Sequence, residues 1–333
     1  MTGPGHSGGR PTISLVVPVF NEEETVPAFY KRASDALTST GEPYEIIFVD
    51  DGSRDGTLEH LRRLAESDSK VRVLSFSRNF GHQTAVTAGM NYASGEAVAV
   101  IDGDLQDPPE IVPQLMQRWR DGYHVVYAIR RTRKENVFKR GAYRLFYRLL
   151  RSMSYVDMPL DAGDFAIMDR RVVDLLNEMP ERNRFVRGIR AWVGFKQIGL
   201  EYDREPRFAG QSKYPLSKLF KLAYDGVVSY SFVPLRMVTQ LGFAISLVAF
   251  LLIVYFLSLR VFFGRDLLLG WTSTIVVILF LGGVQLISLG ILGEYVGRIF
   301  DEVKRRPLYV VKEEIGFPKE AVSNPRRLSV AEG

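Results

Sequence analysis

From Ile13 the chain begins an unbroken apolar run, ISLVVPV, rich in β-branched residues and too short for a helix; it predicts a buried strand ending at Val19. A polar cluster at 21–25 leads into a helical pattern that runs through Leu37. The alternation then repeats. YEIIFVDDGS predicts a strand, residues 57–65 a helix with Leu58, Leu61, Leu64 and Ala65 along one face, and VRVLSFS a strand. A small-residue helix over 84–93 and the strands AVAVID and HVVYAI follow. Strands alternating with helices predict an α/β domain built on a Rossmann-like, mostly parallel sheet covered on both faces. Ligands of such sheets sit at the carboxyl ends of the strands. Asp50, Asp51, Asp102 and Asp104 all fall there, while no G-x-G-x-x-G follows the first strand to suggest a dinucleotide site.

The last third changes character. Residues 237–259 and 267–293 carry no Asp, Glu, Lys or Arg, and each is long enough for the roughly 20 residues that span a bilayer core. The short connector, 260–266, predicts a transmembrane helical hairpin. Lys213, Lys218, Lys221 and Arg236 precede the first span, and Arg298, Lys304, Arg305 and Arg306 follow the second; only Arg260 and Arg265 lie between. By the positive-inside rule both ends, and with them the large N-terminal domain, face the cytoplasm of a cell (inner) membrane protein. Segments 136–151 and 215–234 mix regularly spaced basic residues with Leu, Phe and Tyr, the pattern of helices lying on anionic headgroups. The expected organisation is a disordered tail at 1–11, a catalytic domain at 12–210, an interfacial segment at 211–236, the hairpin at 237–297 and a cytoplasmic tail at 298–333.

Composition sharpens this picture at two points. The formal net charge of +5 over 333 residues is small, and much of the excess flanks the apolar stretches, which argues for a membrane surface rather than nucleic acid. The absence of cysteine removes disulfides, thiolate metal sites and cysteine nucleophiles from consideration. The Gly-rich start, MTGPGHSGGRPT, lacks the apolar core of a secretory signal and the Gly-Lys-Ser/Thr of a phosphate loop.

The densest candidate chemistry is AVAVIDGDLQDPPE. Two carboxylates one residue apart at a strand end point the same way, Gly103 between them permits close approach, and Gln106 adds a neutral oxygen. A hard divalent cation takes such oxygen ligands, and Mg2+ completes its shell with substrate phosphates. An ion held there would neutralise a departing diphosphate.

With PVFNEEETV, YEIIFVDDGSRDGT and VIDGDLQDPPE, the chain resembles the inverting family 2 glycosyltransferases of the GT-A fold. Downstream, SRNFGHQTA, GDFAIMDRR, ERNRFVRG, AGQSKY and LGGVQLISLGILGEYVGRIFDEVKRRPLY narrow the resemblance to the polyprenyl-phosphate glycosyltransferases. Among these it is most like the bactoprenol glucosyltransferases and more distantly like the dolichol-phosphate mannose synthases; the likeness runs from Thr12 to Val311. It implies a nucleotide-sugar donor, a polyprenyl (undecaprenyl) phosphate acceptor, Mg2+ or Mn2+, contact with membrane lipids and a homotetramer. Pro18, Phe20, Asn21 and Glu22 would contact the nucleotide, and Asp50 and Asp51 the base and ribose, although a turn opener before Gly52 is an alternative for that pair. Asp102, Asp104 and Gln106 would hold the metal. Arg130, Arg133, Lys139 and Arg140, with Arg207, Ser212 and Lys213 in a Gly-containing loop, would bind phosphates. Asp164 is the candidate catalytic base; a lipid phosphate is already largely anionic, so Asp164 could instead orient the sugar or the acceptor.

Two look-alikes are set aside: Gln117-Arg118-Trp119 has the wrong spacing for the Q-x-x-R-W of processive synthases, and His82 reads as a loop or core histidine rather than a base. Gly282, Gly283, Gly290 and Gly293 would allow close helix contact. The leading reading is transfer of a hexose, glucose from UDP-glucose, to polyprenyl phosphate for later extracytoplasmic use. Its competitors are the same chemistry with GDP-mannose or a UDP-N-acetylhexosamine, a processive polysaccharide synthase, and a non-enzymatic adaptor. The Asp102, Asp104, Gln106 and Arg130 set argues against the adaptor.

Overall fold

The computed structural model of the chain describes residues 10–131, 162–182, 184–204, 233–263 and 270–317. The segment 136–151, most of 215–234, and the phosphate-binding candidates Arg133, Lys139, Arg140, Arg207, Ser212 and Lys213 lie outside them. The chain divides into two units: a sheet domain, and a helical unit inserted before its final segment, which begins at Arg306.

In the sheet domain, eight strands form one sheet: β1 (Ile13–Val19), β2 (Tyr44–Asp50), β3 (Val71–Phe76), β4 (Ala97–Val100), β5 (Val125–Arg130), β6 (Ala162–Asp169), β7 (Gln197–Tyr202) and β8 (Val311–Ile315). Their order is β7-β5-β6-β4-β1-β2-β3-β8. The stretch β3-β2-β1-β4 is parallel, as the alternating pattern predicts. The expected mostly parallel sheet is nevertheless mixed, because β6 runs antiparallel to both β4 and β5, and β8 antiparallel to β3.

Strand side chains alternate between two cores. Ile13, Leu15, Val17 and Val19 face the helices α1 (Val26–Thr38), α2 (Thr57–Ser67) and α4 (Val112–Arg120), packing with Phe29, Leu61 and Leu115. Val16, Val49, Leu74 and Val98 face α3 (His82–Tyr92), α5 (Arg170–Glu178) and α6 (Val186–Trp192). Helix α1 buries Val26, Phe29, Ala33 and Leu37, a single stripe at helical spacing that covers the sheet. Trp119 packs against the first core and donates its indole N–H to Asp169 at 3.2 Å, a structural role in keeping with its expected one.

Residues that the expected organisation assigns to a tail after 298 include β8. Its signal is only five residues, VKEEI, with three charges among them, too polar to stand out as a strand. Tertiary contacts supply what the pattern lacks. Tyr309 stacks on Phe76 with ring centroids 5.2 Å apart, Arg62 bonds Glu313 at 2.6 Å, and Tyr92 donates to Glu314 at 2.5 Å.

The described part of the helical unit comprises α7 (Val233–Phe263) and α8 (Trp271–Val303), which contact each other. Among the described residues one helical segment, Phe280–Val303, is long and apolar enough to cross a membrane, and none of it is buried by the protein. Val238–Leu252 is a shorter apolar stretch within α7. Phe250, Phe280, Leu286 and Ile287 all lie largely exposed. Helix α8 continues beyond the expected end of its span at Gly293, and its charged turn is bridged by Glu294 and Arg298 at 3.1 Å.

Candidate active site

The carboxyl ends of β1, β2, β3 and β4 converge in loops that are cross-linked to one another. After β1, Asn21 takes a left-handed φ of 55°. Its N–H donates to the Ser53 hydroxyl at 2.9 Å, and its side-chain oxygen accepts the Arg54 N–H at 2.9 Å. The Glu22 N–H donates to Thr57 Oγ1 at 2.8 Å, and the Glu22 carboxylate accepts the Thr25 hydroxyl at 2.6 Å. Phe20 is 42% exposed beside this loop, whereas Pro18 is buried within β1.

Asp50 and Asp51 are both almost fully buried. Asp50 accepts the Ser53 N–H at 3.0 Å and the Ser75 hydroxyl at 2.8 Å, which makes it the opener of the turn. Asp51 accepts the N–H groups of Phe80 and Gly81 at 2.6 and 2.9 Å. Burial pushes its carboxyl up and outweighs those two donors. Gly52, at φ +73°, lies against the 78–79 backbone; a Cβ there would stand 2.5 Å from the Arg78 carbonyl carbon.

After β4 the exposure alternates: Ile101, Gly103 and Leu105 are buried, while Asp102 and Asp104 are half-exposed. Packing alone requires glycine at 103, because a Cβ there would press within 2.7 Å of Val19 Cγ1. Asp104 accepts the Gln106 N–H at 3.1 Å. Burial, reinforced by the neighbouring carboxylates Asp102 and Asp107, raises its carboxyl. Carboxylates crowded in this way favour a cation. No group of three His, Cys, Asp or Glu among the described residues can hold a metal alone. An ion held by Asp102 and Asp104 would therefore have to draw its remaining ligands from neutral oxygens such as that of Gln106, from substrate phosphates and from water.

Basic side chains gather beside these acids. Asp107, 1% exposed, accepts from the Tyr202 hydroxyl, from Arg204 Nε at 3.1 Å and from Arg130 at 3.5 Å. Arg130 at the end of β5 is thereby held in place. Its charge is strengthened despite partial burial, chiefly by Asp107. At the start of β6, Asp164 forms a two-pronged pair with Arg187 of α6, at 2.7 and 2.9 Å. Burial would raise the Asp164 carboxyl, but the Arg187 guanidinium overrides it and holds the group down at about 2. A carboxylate so committed is a weak proton acceptor, which favours the orienting role over the base. Arg190, fully buried behind it, is lowered to about 10 by desolvation, and its Nε has no hydrogen-bond partner.

Helix α3 links the two acidic groups. His82 Nε2 lies 2.7 Å from Asp102 Oδ1, and His82 Nδ1 lies 3.9 Å from Asp164 Oδ2. Desolvation pulls the imidazole down, but the Asp102 bond lifts it to about 9. Gln83 donates to Asp164 at 3.2 Å and accepts the Val186 N–H at 2.9 Å.

Residues 14–176 match glycosyl transferase family 2. The Bacillus subtilis (strain 168) glycosyltransferase YkcC is 46% identical over 95% of this chain and 98% of its own length. The SfII prophage-derived bactoprenol glucosyl transferase of Shigella flexneri is 45% identical over 90% of this chain and 97% of its own. The prophage bactoprenol glucosyl transferase homolog of Escherichia coli K12 is 44% identical over 90% and 98%. The chain belongs to glycosyl transferase family 2. It is an enzyme, a glycosyltransferase with a GT-A-like mixed sheet.

Within this family 2 fold, His82 and Gln83 tie Asp102 and Asp164 together, and Asp107 holds Arg130 and neighbours Asp104, links that sequence alone did not reveal. His82 looked like a loop histidine because nothing local marks it; its partner Asp102 is twenty residues away. Arg187 lay inside ERNRFVRG and Asp107 inside DLQDPPE, both visible as motif members but with no sign of their partners. Asp50, Asp51 and Glu22 make intramolecular bonds that build the loops, while Phe20 and Asn21 are the exposed members of the expected nucleotide set.

Proposed function

We propose that this enzyme transfers glucose from UDP-glucose, with inversion, to polyprenyl phosphate at the cytoplasmic face of the membrane. The lipid-linked sugar would then serve extracytoplasmic glycosylation. The observation that carries the reading is the likeness to the bactoprenol glucosyl transferases, which extends over nearly the whole length of both proteins and so includes the helical unit as well as the catalytic sheet. The site chemistry agrees. Asp102 and Asp104 suit Mg2+ or Mn2+ on the donor diphosphate, and Arg130 stands on the same side to meet a phosphate.

Two membrane crossings fit the fold better than one. Strand β8 belongs to the same sheet as the strands that precede α7, so the chain must return to the side from which it left. A pair of spans satisfies this. The basic residues flanking the pair, against two within the connector, support a cytoplasmic catalytic domain. Contact with membrane lipids follows from the exposed apolar side chains of α7 and α8. Assembly as a homotetramer remains part of the proposal on resemblance alone.

The test uses the full chain in nanodiscs with undecaprenyl phosphate, divalent metal and radiolabelled UDP-glucose, GDP-mannose or UDP-N-acetylglucosamine. The expected product is organic-extractable label from UDP-glucose that mild acid releases as glucose. Label in a polymer, or transfer from another donor in preference, would overturn the assignment.

A further inference from the structure

A metal site with only two protein carboxylates depends on their orientation. Asp102 lies beyond the end of β4, in a loop with no ladder to hold it, and its side chain is 32% exposed. An aspartate in that setting samples several carboxylate orientations, of which few present an oxygen to an ion shared with Asp104. One contact restrains it: the 2.7 Å bond between its Oδ1 and His82 Nε2.

His82 is itself held unusually well. It opens α3, and the two residues before it donate their backbone N–H groups to the buried Asp51 carboxylate. The following Gln83 is fastened at both ends of its amide, to Asp164 and to the Val186 N–H. The imidazole, itself 42% exposed, therefore projects from an anchored backbone toward the Asp102 carboxylate, with Asp164 3.9 Å from its other nitrogen.

We propose that His82 is a positioning residue that orients Asp102 for the divalent ion, holding Oδ1 so that Oδ2 is presented to the metal. The imidazole also ties the diphosphate side of the site to the Asp164–Arg187 pair. Outer-shell partners of this kind set the direction of metal-binding oxygens, and their loss typically weakens metal binding about 10–100-fold. The inference rests on the metal reading given above. It assigns His82 neither proton transfer nor direct ligation.

The side-chain chemistry offers a clean test. A glutamine amide nitrogen reaches the position of a histidine Nε2, whereas an asparagine is too short. The full chain in detergent, with UDP present, is titrated with Mn2+ and bound metal is read by electron paramagnetic resonance, in wild type and in His82→Ala, His82→Asn and His82→Gln. His82→Ala and His82→Asn are expected to weaken Mn2+ binding about 10–100-fold, while His82→Gln stays near wild type. In steady-state assays the loss should be recovered by raising Mn2+, leaving kcat close to wild type. Unchanged Mn2+ binding in His82→Ala, or a glutamine variant as weak as the alanine one, would overturn the proposal. So would a kcat loss that saturating metal does not repair, which would mark His82 as a participant in the chemical step. If wild type itself binds no Mn2+ in the presence of UDP, the metal reading fails first, an outcome distinct from equal binding by wild type and variant. Metal-free UDP binding, measured on the same samples, verifies that each variant is folded.

Discussion

Replacing Arg187 by leucine removes the guanidinium that holds Asp164 and keeps much of its apolar volume. Asp164 is 8% exposed, and its carboxyl is depressed from the ordinary aspartate value to about 2. A shift of that size corresponds to about 2–3 kcal/mol of preference for the ionised form. Arg187 is 39% exposed, so solvent screens its side of the pair and about 1–2 kcal/mol is the expected coupling. Because the folded-state value lies below the unfolded one, this contribution is complete above about pH 4 and fades only as pH falls toward 2. Near neutral pH the wild type therefore has all of it and Arg187→Leu none. Thermal unfolding of the full chain, followed by intrinsic fluorescence in detergent, should show a Tm lowered by about 2–8 °C. The decisive comparison is a double-mutant cycle. In the Asp164→Asn background, Arg187→Leu should cost distinctly less than in wild type. If the two substitutions add to within about 0.5 kcal/mol, the pair is not coupled and the depressed carboxyl has another origin.

Three further outcomes are expected. Asp102→Asn and Asp104→Asn should each reduce metal-dependent sugar transfer by about 100-fold or more, since each would remove one of the two carboxylates proposed to hold the ion; transfer within a few fold of wild type would remove the carboxylate pair from the site. Gly52→Ala should lose several kcal/mol, about 3 or more, because the left-handed φ and the 2.5 Å approach to Arg78 cannot both be relieved; a Tm equal to wild type would refute the packing argument. Tyr309→Ala removes the ring stacked on Phe76 and should cost about 3 kcal/mol. It should also speed proteolytic cleavage around β8, whereas Tyr309→Phe keeps the stacked ring while losing the Asn91 hydrogen bond and should cost distinctly less.

The strands and helices up to Arg130 were legible because each is a long apolar or amphipathic pattern whose period is set locally. Strand ends were legible too, and with them the place of Asp102 and Asp104. What sequence could not supply was pairing. That β6 runs antiparallel between β4 and β5 depends on the path of the intervening chain, and no residue of GDFAIMD encodes a direction. VKEEI lacks apolar alternation and becomes a strand only because β3 offers it an open edge. The roles of the acidic residues divided for a similar reason. Asp50 and Asp104 look alike as strand-end aspartates, and only the burial of one against Ser75 separates a turn builder from the carboxylate proposed for the metal. His82, Arg187 and Asp107 act through partners distant in the chain.

The position of β8 has a consequence for how the enzyme comes into being. Arg62 and its partner Glu313 are 251 residues apart, and the helical unit is synthesised between them. Emerging from the ribosome N-terminus first, the catalytic sheet must wait with the edge of β3 unpaired, a template for pairing with foreign strands. The edge closes only when β8, which follows both apolar helices in the chain, has emerged. Completion of the sheet thus has to wait until both apolar helices have been made. A chain that stalls or is clipped within the helices would carry an open sheet, and proteases that survey unfinished proteins could recognise it by that exposed edge.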